Sequence, residues 1–326
     1  MILAGDIGGT NTRLGLFHQT GKCKAVAEQK YPSREASGLE ELIERFFQEN
    51  RIDHKRIVAT CLAIAGPIVN GRCNTTNLPW VVDANVLSKR LHLSNVMLLN
   101  DLEAHAHGLR KLSSKELKIL QLGVKQVGNQ ALIFSGTGLG EAGVFWNGKH
   151  HYPTAGEGGH VDFAPRNDLE IELLLYLKNK YGHVSYERIL SGPGLYEIYQ
   201  FIIDSNREQE SGRAKKEMQT RNPSFVITEL GQQNKDAACT KTLYLFLSLF
   251  GAEAGNLALK FLALGGVYIG GGVLSSLTDM IHKSDFLSSF CEKGRFKTLL
   301  QSMPVSIVLA NNTAILGAAR MARAMK

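Results

Sequence analysis

Residues 1–22, "MILAGDIGGTNTRLGLFHQTGK", and residues 130–149, "QALIFSGTGLGEAGVFWNGK", repeat one pattern. Each is an apolar strand, a turn of glycine and threonine, a second apolar strand and a polar glycine turn. A pattern that restarts this way indicates two related halves, each opening on a hairpin whose turn is the size of a phosphate group. The chain has 326 residues, which suits two domains better than one core. Strand and helix signals alternate through the first third, an α/β arrangement.

Working outward, "GLEELIERFFQENR" carries Leu39, Leu42, Ile43, Phe46 and Phe47 at helical spacing. "RIVATCLAIAGPIV" is a buried strand ended by Gly66-Pro67. "DANVLSKRLHL" is a short helix with Asp83 as its N-cap. The run Val96-Met97-Leu98-Leu99 is a strand buried on both faces, and it stops at Asn100 and Asp101. In open α/β sheets ligands gather beyond the carboxyl ends of the strands, so this carboxylate is placed to hold a metal, cap a helix or take a proton. In the second half, 168–182 is an amphipathic helix stopped by Gly182, and 240–263 is a core helix. "GGVYIGGGVL" and "PVSIVLANN" are strands, and the C-terminal helix, 311–326, packs back onto the first domain. The stretch 205–225 is polar and reads as a mobile surface segment. The domains are therefore 1–110, completed by 311–326, and 111–310.

Composition removes several classes. The 44% hydrophobic and 21% charged residues are ordinary for a globular protein. Five cysteines form no CxxC pair, which favours reduced thiols and a cytoplasmic setting. No leader peptide and no membrane span of about 18 apolar residues is expected. The net charge of +7 is spread thinly, and its one dense patch, 213–221, is mixed with acid, so no nucleic-acid partner is expected.

The chemistry lies in the turns. "GDIGGTN" puts Asp6 at a strand end and Gly8, Gly9, Thr10 and Asn11 in the turn. Glycines let main-chain N–H groups approach phosphate oxygens, and Asp6 is placed to hold a hydrated Mg²⁺. A plain β-hairpin explains this turn equally well on its own. It is neither a P-loop, lacking Gly-Lys-Ser/Thr, nor a dinucleotide fingerprint, because a strand follows instead of a helix. "SGTGLG" (135–140), with Gly136, Thr137 and Gly138, is a second such turn, and "IGGGV" (269–273), with Gly271, a third cluster. Three clusters favour a polyphosphate. "AGEGGHVDFAP" (155–165) gathers Glu157, His160 and Asp162, donors and acceptors suited to sugar hydroxyls. Glu187, early in a helix, is by position alone better explained by the macrodipole. His105 and His107 lie two apart on a helix and cannot share an ion; they are ordinary helix residues.

Taken together and in order, "GDIGGTN", "LLND", "GTGLG", "GEGGHVDFAP", "LSGPGL" and "GGVYIGGG" resemble the bacterial ATP-dependent glucokinases of the hexokinase/actin-like ATPase superfamily, over nearly the whole chain. The resemblance implies two actin-like ATPase (ribonuclease H-like) domains with an interdomain cleft. It implies a cytoplasmic kinase that moves the γ-phosphoryl group of MgATP to the 6-hydroxyl of glucose at the entry to glycolysis. Asp101 is then similar to the catalytic base, and Asn100, Asp101, Glu157, His160 and Glu187 to the glucose contacts. Gly5, Asp6, Ile7, Gly8, Gly9 and Thr10, with Asn11 beside them, resemble the ATP phosphate loop, and "TTNLPW" (75–80) the segment bordering the sugar. The related repressor/kinase group (ROK) follows its Glu-Gly-His motif with a cysteine-rich zinc motif. Here "RNDLEIE" follows and no further cysteine comes until Cys239, so structural zinc is not expected. The alternatives are a kinase for mannose or an N-acetylhexosamine, and a non-catalytic sugar-responsive regulator. A homodimer is left open.

Overall fold

The computed structural model describes residues 1–21, 23–110 and 112–325. Lys22 and Lys326, read above as parts of a turn and of the C-terminal helix, and Lys111, read above as the start of the second domain, lie outside the described residues. The chain divides into two compact units.

The first unit comprises residues 1–116, 153–156 and the chain from Ala310 onward. It holds β1 (Ile2–Ile7), β2 (Asn11–Phe17), β3 (Ala25–Pro32), α1 (Leu39–Glu49), β4 (Ala59–Ile64), β5 (Ile68–Val69), β6 (Arg72–Asn74), β7 (Val81–Asp83), α2 (Ala84–Arg90), β8 (Val96–Asn100) and α3 (Asp101–Leu109). Its main sheet runs β3-β2-β1-β4-β8, with β1 antiparallel to β2 and parallel to β4. Side chains alternate between faces, as strand geometry requires. Leu3, Ile7, Leu62 and Ile64 pack with Leu39, Leu42, Ile43 and Phe46 of α1. Ile2, Ala4, Cys61 and Ala63 face the opposite way. Asp83 caps α2 by accepting from Asn85 N and Val86 N, as the sequence indicates. The sheet β5-β6-β7 was not foreseen, since its strands are only two or three residues long.

The second unit comprises 117–152 and 157–309, with the outer part of one of its strands, 153–156, counted in the first. Its elements are β9 (Leu117–Gln121), β10 (Gln130–Ser135), β11 (Leu139–Trp146), β12 (His151–Gly156), α4 (Asp168–Tyr181), α5 (Gly192–Asp204), α6 (Gly212–Met218), α7 (Pro223–Gln232), α8 (Ala237–Phe261), β13 (Val267–Gly270), α9 (Gly272–Ser276), α10 (Phe286–Cys291), α11 (Lys297–Ser302) and β14 (Val305–Val308). The sheet order is β12-β11-β10-β13-β14-β9. Three antiparallel strands followed by two parallel ones on the far side of the first is the order of the first unit again, and β9 is added at the edge. The repeated hairpin is thus the start of a repeated ribonuclease H-like half. By length and composition α8 is apolar enough to cross a membrane, yet 78% of its most apolar window is buried inside the protein, so it is a core helix.

One expectation is corrected. The polar stretch 205–225 is not simply a surface loop: it contains α6 and the start of α7. Ser211 caps α6 through Ala214 N, Ala214 is buried, and Glu217 pairs with Arg213 and Arg221 at i,i+4 spacing. These are local helix signals that a charge-rich composition conceals.

The chain closes with α12 (Thr313–Ala324), whose Ala314, Ile315, Ala318, Ala319 and Ala322 cover the second face of the first sheet. Helix α3 lies against it, and His105 Nδ1 is hydrogen-bonded to Thr313 Oγ1. Burial holds the His105 imidazole down to about 4, and His107 likewise, with Arg320 and Arg110 adding repulsion. Both folded values lie below the unfolded one. Their contribution is therefore present above the unfolded value near pH 6.5 and is lost as pH falls towards 4. Urea denaturation near pH 7 and near pH 4.5 should show a large loss of midpoint in the parent protein and a smaller one in His105→Gln. An equal loss in both would contradict this role.

Candidate active site

In the first unit, β1 delivers Asp6 to its carboxyl end. Asp6 sits opposite Arg13 on β2, which sits opposite Lys30 on β3, a row of charges across one face. Burial pushes the Asp6 carboxyl up to about 6, against the pull of Arg13 and Lys30. A carboxylate held there is short of compensating charge, which suits a hydrated divalent cation. In the turn that follows, Gly8 N donates to Asn11 O, leaving the amides of Gly9 and Thr10 outside that closing bond. Ser33 braces the turn, its hydroxyl donating to Gly8 O at 2.8 Å while its amide donates to Thr10 O at 3.0 Å. Sequence reasoning missed Ser33, because no local pattern ties it to residue 8.

At the end of β8, Asn100 is the N-cap of α3: its Oδ1 accepts from Leu102 N and Glu103 N, and its Nδ2 donates to Gly66 O. One Asn100 N–H remains beyond the Gly66 bond. Asp101 is the first residue of α3, where the helix N-terminus favours its negative charge, and its Oδ1 accepts from Leu102 N. The segment 75–80 links β6 to β7 and is closed by Thr75, whose hydroxyl bonds Leu78 O and Trp80 O. Arg34, Thr76, Asn77, Leu78 and Trp80 line a depression of about 470 Å³ there.

In the second unit, Glu187 is the organising side chain. Its Oε2 accepts from Leu139 N at 2.9 Å, at the exit of the 136–138 turn. His160 stands between two carboxylates, with Nδ1 3.9 Å from Glu187 Oε1 and Nε2 3.9 Å from Glu157 Oε2. Burial raises the Glu157 carboxyl, His160 lowers it and Glu187 raises it further. Glu157 and His160, grouped from the sequence, thus meet each other and Glu187, added through the family resemblance, beside the second glycine turn. Asp162 does not join them; it turns to His183 Nε2, 2.9 Å away.

The two glycines of "EGGH" have a steric reason. The turn 158–160 lies directly on β11, where a Cβ on Gly159 would overlap the Leu139 carbonyl and one on Gly158 the Glu141 carboxylate. Gly271 links β13 to α9 with φ +94, and a Cβ there would strike the Ser135 backbone. The third glycine cluster is therefore packed against the strand that ends in the second turn. Thr10 and Thr137 are both exposed, leaving their hydroxyls at the turn surfaces.

A buried carboxylate pair, Glu141 on β11 and Glu253 on α8, lies behind this cluster and was not foreseen. Charged residues inside the apolar runs "GLGEAGVFW" and "GAEAGNLAL" were its only sequence signal.

Comparison with known proteins shows the family. The glucokinase family model matches residues 3–325. The glucokinase of Trichormus variabilis is 38% identical, with 98% of this chain and 98% of that protein covered. A crystal structure of a glucokinase from an Antarctic psychrotroph superposes with a TM-score of 0.82 at 29% identity, covering 99% of this chain and 98% of that one. A ROK family glucokinase from Streptomyces griseus, solved with glucose and AMPPNP, shares the fold at a TM-score of 0.66 and 19% identity, covering 99% of each chain. With matched order, turns and near-complete coverage, the chain belongs to the glucokinase family.

Proposed function

We propose that this chain transfers the γ-phosphoryl group of MgATP to the 6-hydroxyl of glucose, giving glucose 6-phosphate. The observation that supports this most is the position of Glu187. One of its oxygens holds the amide at the exit of a phosphate-sized turn, and the other faces His160. A single carboxylate thus couples a sugar-type cluster to a phosphate-type turn.

In this reading, Glu157, His160 and Glu187 accept and donate to the ring hydroxyls, and Asn100 adds its remaining amide N–H. Asp101 takes the proton of the 6-hydroxyl as the new bond to phosphorus forms. The amides of Gly9, Thr10, Thr137 and Gly138 and the two threonine hydroxyls face the phosphate oxygens and stabilise the charge that spreads over them. Gly5, Ile7, Gly8 and Asn11 shape the first turn, and Gly136 and Gly271 the second. Asp6 would hold Mg²⁺, which when bound neutralises phosphate charge.

Asp101→Asn keeps the shape and removes the base. Turnover should fall by roughly 10²–10⁴-fold while glucose binding measured by calorimetry is retained. Near-parent turnover would exclude Asp101 as the base. Asp6→Asn should raise the Mg²⁺ concentration needed for half-maximal rate, with the KM for glucose little changed. An unaltered Mg²⁺ requirement would remove Asp6 from that role.

A further inference from the structure

Behind the 158–160 turn lies a polar island in an apolar core. Glu141 is 3% exposed and Glu253 0%. Glu253 is well supplied with donors: Asn256 Nδ2 bonds its Oε2 at 2.8 Å and Lys260 Nζ its Oε1 at 3.3 Å. Lys293, from the segment after α10, bonds Asn256 Oδ1 and Ala252 O, with Arg166, Glu170 and Glu292 around it. Tyr186 OH accepts from Asn256 Nδ2. Glu141 has none of this. Neither of its carboxylate oxygens accepts a hydrogen bond from a donor among the described residues; the Glu253 carboxyl lies within reach, but a bond between two carboxyls needs a proton on one of them. Its Oε2 instead lies against Gly158, where the turn backbone comes too close to admit a Cβ.

Two buried carboxyls side by side, with Lys260 bonded to only one of them, do not both stay ionised. The donors decide which carries the proton. Glu253, fed by Asn256 and Lys260, is the carboxylate, and Glu141 is the acid. We propose that Glu141 is a positioning residue whose neutral carboxyl supports the Gly158–His160 turn from beneath, so that loss of its proton displaces the turn and weakens sugar binding. The proposal rests on the sugar-kinase reading of the site. Burial first, and the charge of Glu253 second, push the Glu141 carboxyl up to about 8, with Lys260 opposing. Binding should therefore weaken on the alkaline side of neutrality. A second negative charge would then appear beside Glu253 and against Gly158 of the turn.

Two readouts separate this proposal from the sugar-kinase reading. Infrared difference spectra need no activity: a protonated-carboxyl band should be present near pH 7, absent near pH 9.5 and absent in Glu141→Gln at both. In steady state, the KM for glucose should rise by roughly threefold or more between those pH values in the parent protein, with kcat changing less. Glu141→Gln, neutral at every pH and nearly isosteric, should hold a low and flat KM. Glu253→Gln removes the neighbouring charge and should move the infrared transition to lower pH. Absence of the band in the parent protein, or the same rise of KM in Glu141→Gln as in the parent, overturns the proposal. If the band behaves as described but glucose is not bound, the sugar assignment fails and the link from Glu141 to sugar binding falls with it, while the proton on Glu141 stands.

Discussion

Each sheet is built outward from one strand that must be paired on both sides and covered on both faces. β1 and β10 hold that place, antiparallel to a hairpin partner on one side and parallel to a crossover strand on the other. Just past their last residues, Ile7 and Ser135, each opens at once into a tight turn with little room for bulky side chains. Those turns are where Gly8–Thr10 and Gly136–Gly138 lie. The burial that makes the strands apolar, and the tight return that makes their ends glycine-rich, thus produce two phosphate-sized turns from one constraint. The remaining elements serve it: α1, α12 and α8 cover the sheets, and Ser33 and Glu187 fix the turns from the side.

The second unit shows how little slack the site has. The turn bearing His160 rests on β11 with no room for side chains at Gly158 and Gly159. Leu139, the residue on which Gly159 rests, also gives its amide to Glu187. The sugar-type cluster and the phosphate-type turn therefore share a strand start, so a shift in one is a shift in the other.

Much of this was legible in the sequence wherever the signal is local. Asp83 as an N-cap, Gly182 at the end of α4, the apolar length of α8 and the paired hairpins all follow from spacing. The place of Glu187 beside Glu157 and His160 was accessible only through resemblance, since on position alone the macrodipole accounts better for a glutamate at 187. What stayed hidden depends on pairs far apart in the chain or on elements too short to show a period. Ser33 meets Gly8 across the hairpin, and Glu141 meets Glu253 across the core. β5, β6 and β7 are too brief to alternate visibly, and α6 is masked by its own charge.

The central claim is that the two glycine turns and the glutamate–histidine cluster act on one reaction, phosphoryl transfer from ATP to glucose. The most direct test is ADP release by the purified protein with MgATP, across a panel of glucose, mannose and N-acetylhexosamines. The account predicts ADP release that depends on glucose and matches glucose 6-phosphate formed one for one. Release that ignores glucose, or that follows another hexose instead, would contradict it.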